Sequence, residues 1–252
     1  MEIKKKTIII LTLSLALVVI AVMLISRLAD KETSKIPVDV PKASTTIQLP
    51  SGKTRDSYAN ISNPNDLDEI KKTFSNFVGE AIKADISETG IKTIKFIDAK
   101  GMPITLAAVS SSIGITIPRT LSNLIEDKEY DIFYCSSGGG KKDYGFVLYA
   151  KSAVGRSLDE KDYNEIAKQV RQWESSMLRD LHPLLFPGIF SSKANLDQEL
   201  LFRDGKARFA EVQMPDGTKN SINYKQLGDP VVIASTLDCL EKGIGYFFDT
   251  EE

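Results

Sequence analysis

One histidine, His182, one tryptophan, Trp173, and two cysteines, Cys135 and Cys239, stand in a chain of 252 residues. A single histidine leaves one imidazole at most for any Ser–His or Cys–His pair, and it excludes histidine-rich metal sites. Two distant cysteines make neither a CxxC metal pair nor a disulfide-dense scaffold. Both are expected as separate small buried hydrophobes, although an oxidising compartment would allow them to pair. Positive charge is not in excess either, since 32 Lys and Arg face 34 Asp and Glu. Beyond residue 29 the acidic excess widens, because the first 29 residues carry Lys4, Lys5, Lys6 and Arg27 against Glu2 alone. Such a chain exerts no electrostatic pull on nucleic acid, so no nucleic-acid partner is expected.

Long apolar runs are missing everywhere but at one place. Residues 7–26, TIIILTLSLALVVIAVMLIS, hold no charge, Gly or Pro. A helix of that length spans roughly 30 Å, the hydrocarbon core of a bilayer. Apolar all round, it has lipid as its natural solvent. A cleaved signal peptide fits less well: the run is too long, and a cut after Ala29 would put Arg27 where a small residue is needed. No cysteine follows to carry a lipid. Residues 7–26 are therefore expected as an uncleaved transmembrane anchor in the bilayer. Lys4, Lys5 and Lys6 keep the stub 1–6 cytoplasmic by the positive-inside rule. The chain reads as a single-pass protein of the cytoplasmic membrane with its bulk outside.

Residues 27–66 are rich in Ser, Thr, Pro, Lys and Asp without apolar periodicity, and read as a flexible linker. From 67 to 252 the pattern turns globular. Leu67, Ile70, Phe74, Phe77 and Val78 fall at helical spacing with Asn65 or Asp66 as cap. Residues 91–98 alternate as a strand, and KGMP is a turn. A short helix ends at Gly114, and a second starts near Pro118. DIFYCS and YGFVLYAK are strands. One long helix is expected from Asp159 to Leu181, with a capping box of Ser157 and Glu160 and Pro183 as its stop. Its stripe of Tyr163, Ile166, Val170, Trp173, Met177 and Leu181 belongs to a core. LHPLLFPGIF, residues 181–190, reads as a buried connection. LLFRDG and KARFAEVQM make a hairpin at Asp204-Gly205, SINYKQL and VVIAS are further strands, the latter central, and Ser235 with Asp238 caps a closing helix. Strands joined by tight turns pair antiparallel, so the fold class is α+β, with helices packed on one face of mostly antiparallel sheet. Two lobes, 67–190 and 191–252, are possible.

Between the central strands lies CSSGGGKKDYG, residues 135–145. A phosphate loop needs G-x-x-x-x-G-K-[ST] leading into a helix. Counted back from Gly140-Lys141, the first glycine position holds Cys135; the residue after Lys141 is Lys142, and a strand follows. The stretch is a hairpin tip with solvated lysines, and no nucleotide is expected there.

No residues meet the test for a catalytic constellation, so no catalytic, cofactor or metal residues are assigned and no cofactor is expected. His182, beside Pro183 at a helix end, fits a partner for the helix dipole. Asp159, Glu160 and Asp162 sit at a helix N-terminus, and Asp98, Asp204, Asp216 and Asp229 sit at strand ends or turns, all places that favour acids structurally. An envelope hydrolase using scattered Asp, Ser or Thr residues stays open, because paired carboxylates need proximity in space alone.

The succession FIDAKGMPITLAAVSSSIGITIP, DIFYCS, FVLYAK, the Trp-containing helix near LFP and VVIASTLDCL resembles N-terminally anchored envelope proteins of small-genome bacteria, a family with no assigned activity. The resemblance covers roughly residues 90–245. It implies a bacterial envelope setting and an α+β domain, and carries no functional residues with it. With the anchor and linker, the expectation is a non-catalytic interaction module with protein partners in the envelope.

Overall fold

The computed structural model describes residues 58–83, 90–136, 141–152, 157–190 and 196–248. The expected anchor and stub, most of the linker, the three loop glycines and the acidic tail lie outside them. Among the described residues no helix is long and apolar enough to cross a membrane.

The fold is α+β, built on a seven-stranded, mostly antiparallel sheet in the order β1-β2-β3-β4-β7-β6-β5. The strands are β1 Tyr58–Ile61, β2 Ile91–Asp98, β3 Ile125–Ser136, β4 Lys142–Ala150, β5 Arg208–Gln213, β6 Lys219–Gln226 and β7 Pro230–Ala234. β3 and β4 form the expected hairpin, with Ser136 opposite Lys142. β7 joins β4 to β6, so the residues before and after 190 share one sheet. All five residues of β7 are buried, as a central strand requires.

Two expectations at the edges are corrected. The linker ends earlier than residue 66: Tyr58–Ile61 pairs parallel with β2, and Ile61 is fully buried in the core. LLFRDG is not a strand. It contributes one bridge, Arg203 to Phe209, with main-chain bonds of 2.8 and 3.0 Å. That bridge, together with the Gln198 side chain bonding both main-chain groups of Gln213 at 2.8 and 3.1 Å, covers the edge of β5. Covered edges do not template pairing with other chains.

On the first face of the sheet lie α1 Leu67–Lys83, α2 Leu106–Ile113, α3 Arg119–Ser122, α4 Glu160–Trp173 and α5 Met177–Leu185. Asp66 caps α1 through the amides of Asp68 and Glu69. Ile70, Phe74 and Phe77 are buried while Leu67, at the first position, stays 45% exposed. Gly114 closes α2 at φ 80°, a conformation that only glycine adopts without strain. The long helix expected over 159–181 is instead two. Asp159 and Asp162, rather than Ser157 and Glu160, form its capping box. After Trp173 the chain breaks at Glu174–Ser176 and restarts, with Ser176 Oγ and Trp173 Nε1 both donating to the buried Asp180 carboxylate, at 2.5 and 2.9 Å. The stripe survives the break: Ile166, Val170, Trp173, Met177 and Leu181 are all 1% exposed or less. Residues 181–185 belong to α5, and Leu184, Leu185 and Phe186 are buried.

Helices do not cover one face alone. α6, Leu237–Phe248, packs on the second face, where Phe133, Cys135, Val147, Val232 and Ala234 meet Cys239 and Leu240. Phe133 and Cys135 of β3 point there and Tyr130, Ile132 and Tyr134 into the larger core, so both faces of this part of the strand are apolar. Thr236, not Ser235, caps α6 by accepting the Cys239 N–H at 3.2 Å, because Ser235 Oγ already accepts the Tyr144 N–H at 3.0 Å. Cys135 and Cys239 are not separate hydrophobes: they form a disulfide that ties α6 to β3.

The Phe133 ring fixes how closely α6 approaches. It lies across Gly145 on β4 and against Gly243 on α6, so a Cβ at those positions would fall 2.0 Å and 2.6 Å from its Cζ. Gly145→Ala and Gly243→Ala are therefore each expected to destabilise the fold by about 1–3 kcal/mol, the cost of overpacking. Gly79→Ala, in α1 with open space around it, is expected to stabilise by about 0.4–1 kcal/mol. Urea midpoints read all three, and equal effects would mean that the contact with Phe133 does not set the packing.

Candidate functional site

Most of the acids and the one imidazole that the sequence offers are committed to local structure. His182 Nδ1 donates to the Arg179 carbonyl at 2.8 Å. In a regular helix that carbonyl would accept from residue 183, which is Pro183 and has no N–H. The imidazole thus replaces a missing helical hydrogen bond, and its ring meets Phe190 edge-on. Pro183 accordingly lies inside α5 instead of stopping it. Asp159 and Asp162 hold each other's backbone amides. Asp98 accepts from the amides of Lys100 and Met102 in the KGMP turn. Asp216 accepts from both Thr218 groups, which holds its carboxyl below the usual range. Asp204 pairs with Arg208 at 2.9 Å. The main-chain carbonyl of Asp229 accepts the Ala150 N–H. Among the described residues no three His, Cys, Asp or Glu side chains converge as metal ligands would.

One charged network is interior, and the sequence did not announce it. Glu174, at the break between α4 and α5, binds Arg208 of β5 through both guanidinium nitrogens that face it, and accepts from the Tyr224 hydroxyl of β6. Arg208 and Glu174 are 21% and 15% exposed. Bidentate pairing satisfies both ions in one plane. The network fastens the helix break to the sheet rim, and its geometry leaves Glu174 no free oxygen for proton transfer.

Ser110 borders a cleft of about 350 Å³ beside Asp127. Its hydroxyl is buried without a hydrogen-bond partner, so no base activates it. Asp127 is occupied in part by the Ala107 N–H at 3.1 Å.

A cavity of about 510 Å³ lies on the second face of the sheet, between the start of α6 and the β5–β6 ribbon. Its floor is the outward row of β6, Lys219, Ser221 and Asn223, and of β5, Phe209 and Glu211. Register sets Phe209 directly beside Asn223 and Glu211 beside Ser221. Thr236 and Leu237 form the wall at the start of α6, and Lys141 and Lys206 stand at the mouth. Asn223 is 2% exposed, and its Nδ2 donates to Ser221 Oγ at 2.7 Å. Among the described residues its Oδ1 accepts no hydrogen bond. Lys141, from the glycine–lysine stretch, thus borders this cavity. The alternation in KNSINYKQ, with Ser221 and Asn223 between Ile222 and Tyr224, is the signal that marks this face as polar and half-open.

No family model, curated protein or solved structure matches this chain.

Burial also fixes the alkaline limit of the fold. Tyr144, beside Tyr134 and Asp143, has its phenol pushed up to about 12, first by burial and then by those neighbours. Burial raises Tyr130 and Tyr224 as well. A phenol that keeps its proton longer when folded contributes stability that is complete below about pH 10 and is lost as pH rises through about 12. Urea midpoints should hold between about pH 8 and 10 and then fall, less steeply in Tyr144→Phe; a midpoint flat to about pH 12 would mean that these phenols are solvated.

Proposed function

We propose that the chain is a single-pass, membrane-anchored binding module whose α+β domain stands outside the cytoplasmic membrane of a bacterial envelope and does no chemistry of its own. The observation that carries this reading is the Cys135–Cys239 disulfide. Structural disulfides persist in oxidising compartments and are rare where thiols are kept reduced. A buried disulfide in the domain and an uncleaved apolar run behind Lys4, Lys5 and Lys6 are mutually consistent, since that run would carry the domain outward.

A binding role is favoured over hydrolysis by the fate of the polar groups. A hydrolase needs a base beside a nucleophile or two carboxylates across a cleft. Here the imidazole completes a helix, the turn acids hold amides, and the cavity of about 510 Å³ has a single carboxylate in its lining, Glu211, paired with Lys219. Such a lining binds.

Cells blocked with an alkylating reagent, then reduced and labelled with a heavy maleimide, test the compartment. No labelling before reduction and two labels after it are expected, with the domain digested in spheroplasts and the chain retained in carbonate-washed membranes. Free thiols in untreated cells, or a protected domain, would overturn the reading. Replacing the pair by alanines is expected to cost about 2–5 kcal/mol of stability, read by urea unfolding.

A further inference from the structure

At the cleft of about 350 Å³, α2 meets residues 115–117, α3 and the start of β3. Leu106, Ile115 and Ile125 give it a buried aliphatic lining without an aromatic ring. Its one charged lining residue is Asp127. A bulge puts that carboxylate there. Ile125 lies opposite Ala150 and Tyr130 opposite Leu148, so five steps along β3 match two along β4. Ile125 and Tyr130 enter the same core despite their opposite parity, and residues 126–129 between them are left without partners on β4. Bulges of this kind re-aim side chains.

Two acceptors in the lining have capacity to spare. Asp127 Oδ1 accepts the Ala107 N–H at 3.1 Å, and its second oxygen has no partner among the described residues. Glu126 and Glu129 enter no ion pair among the described residues either, and Lys128 is the only cation of the bulge. The first turn of α2 does not offset this acidity in full, because its amides are already met: Thr105 Oγ1 accepts the Ala108 N–H at 3.2 Å, beside the Ala107 bond. One turn along the helix face that carries Ala107 stands Ser110. It is 8% exposed, and its hydroxyl is buried without a hydrogen-bond partner. Ser112 bonds back to the Ala108 carbonyl at 2.8 Å; Ser110 makes no such bond. A buried hydroxyl left unpaired is a cost that a ligand would remove, and a serine side chain reaches its other staggered positions by one rotation.

A matching ligand carries a hydrogen-bonding cation for Asp127 and Ser110 and a flexible aliphatic stem for Leu106, Ile115 and Ile125. A guanidinium matches less well, because its planar fork takes both oxygens of a carboxylate and Asp127 has one to give. An ammonium donates to single oxygens in any direction. We propose that this cleft binds a primary alkylammonium on a stem of about four or five methylenes, the group shared by a lysine side chain and a free diamine. The proposal rests on the reading of the chain as an external binding module and names the group that the module takes. The volume, about 350 Å³, is at the lower end of small-ligand sites, which suits one side chain.

Calorimetry on the full-length chain in neutral detergent, with Nα-acetyl-lysine methylamide as probe, tests it. Saturable binding at millimolar concentration is expected, weakening as salt rises because Asp127 is exposed. The norleucine amide, which has the stem without the ammonium, should bind about fivefold more weakly or less, and the arginine amide no better than that. Asp127→Asn keeps an acceptor for the Ala107 N–H and should weaken the lysine amide about fivefold at unchanged Tm. Glu241→Gln, on α6 across the sheet, should change nothing. Ala107→Leu should fill the cleft and abolish binding with the helix intact, since the two residues have similar helix propensity. Ser110→Ala should weaken binding without lowering Tm, because no bond of the folded chain is lost. Cadaverine binding as tightly as the lysine amide would make free amines the source of the group; tighter binding of the lysine amide would make it a peptide. Absence of binding by both, equal binding of the norleucine or arginine amide, or binding untouched by Ala107→Leu would each overturn the proposal. Those failures would leave the external module standing if the cysteines remain oxidised in cells; reduced cysteines would remove the module reading whatever the amine does.

Discussion

The contact between the Phe133 ring and two glycines governs how this domain is put together. Among the described residues five helices fill the first face of the sheet, and the second is left to one 12-residue helix, α6. A single helix cannot cover seven strands, so where it docks decides what stays open. Gly145 removes the side chain that would otherwise prop Phe133 off the sheet, and Gly243 lets the helix close over the ring. The same helix is held at its start by the Thr236 hydroxyl on Asp143 at 2.9 Å, and one turn later by the bond from Cys239 to β3. Together these place α6 over β3, β4, β7 and the neighbouring part of β6, and the groove opens beyond it toward β5. The groove is the remainder of that packing.

Much of the fold was legible in the residues, and the failures have identifiable physics. Apolar periodicity placed β2, β3, β4, β6 and β7, α1, α2 and the buried stripe through Trp173. Those patterns record which side chains avoid water, and burial is local information. The helix break at Glu174–Ser176 was not legible. It depends on Arg208 and Tyr224, which reach Glu174 from strands more than thirty residues away, and the spacing of four from Trp173 to Met177 to Leu181 looks the same with or without a break. Caps failed for a related reason: Ser235 has the right chemistry for a cap, but the Tyr144 amide reaches it first. β1 was invisible because a short edge strand with one inward residue, Ile61, has no period to detect. The groove was legible only in part, since Lys141 drew attention for a phosphate motif it does not complete while Asn223 and Phe209 meet only through register.

Polar groups in this domain are mostly spent on the backbone, and that explains the quiet chemistry of its surface. Asp98, Asp159, Asp162 and Asp216 each satisfy amides that a turn or helix start would leave bare. His182 does the same for a carbonyl beside Pro183. Histidine is usually weighed for proton transfer; here its ring nitrogen acts as a substitute main-chain donor.

The cross-link between Cys135 and Cys239 also defines a covalent ring. β4, α4, α5 and β5 to β7 lie wholly inside it, together with every connection between them. A backbone cut anywhere within that ring opens a circle and releases no piece, and the severed ends stay tethered at local concentrations that favour re-docking. Beyond the ring, β1, β2 and most of β3 join it to the N-terminal part of the chain by a single strand of polypeptide. A domain working where proteases are abundant and chaperones are not would keep the groove attached to its scaffold after injury.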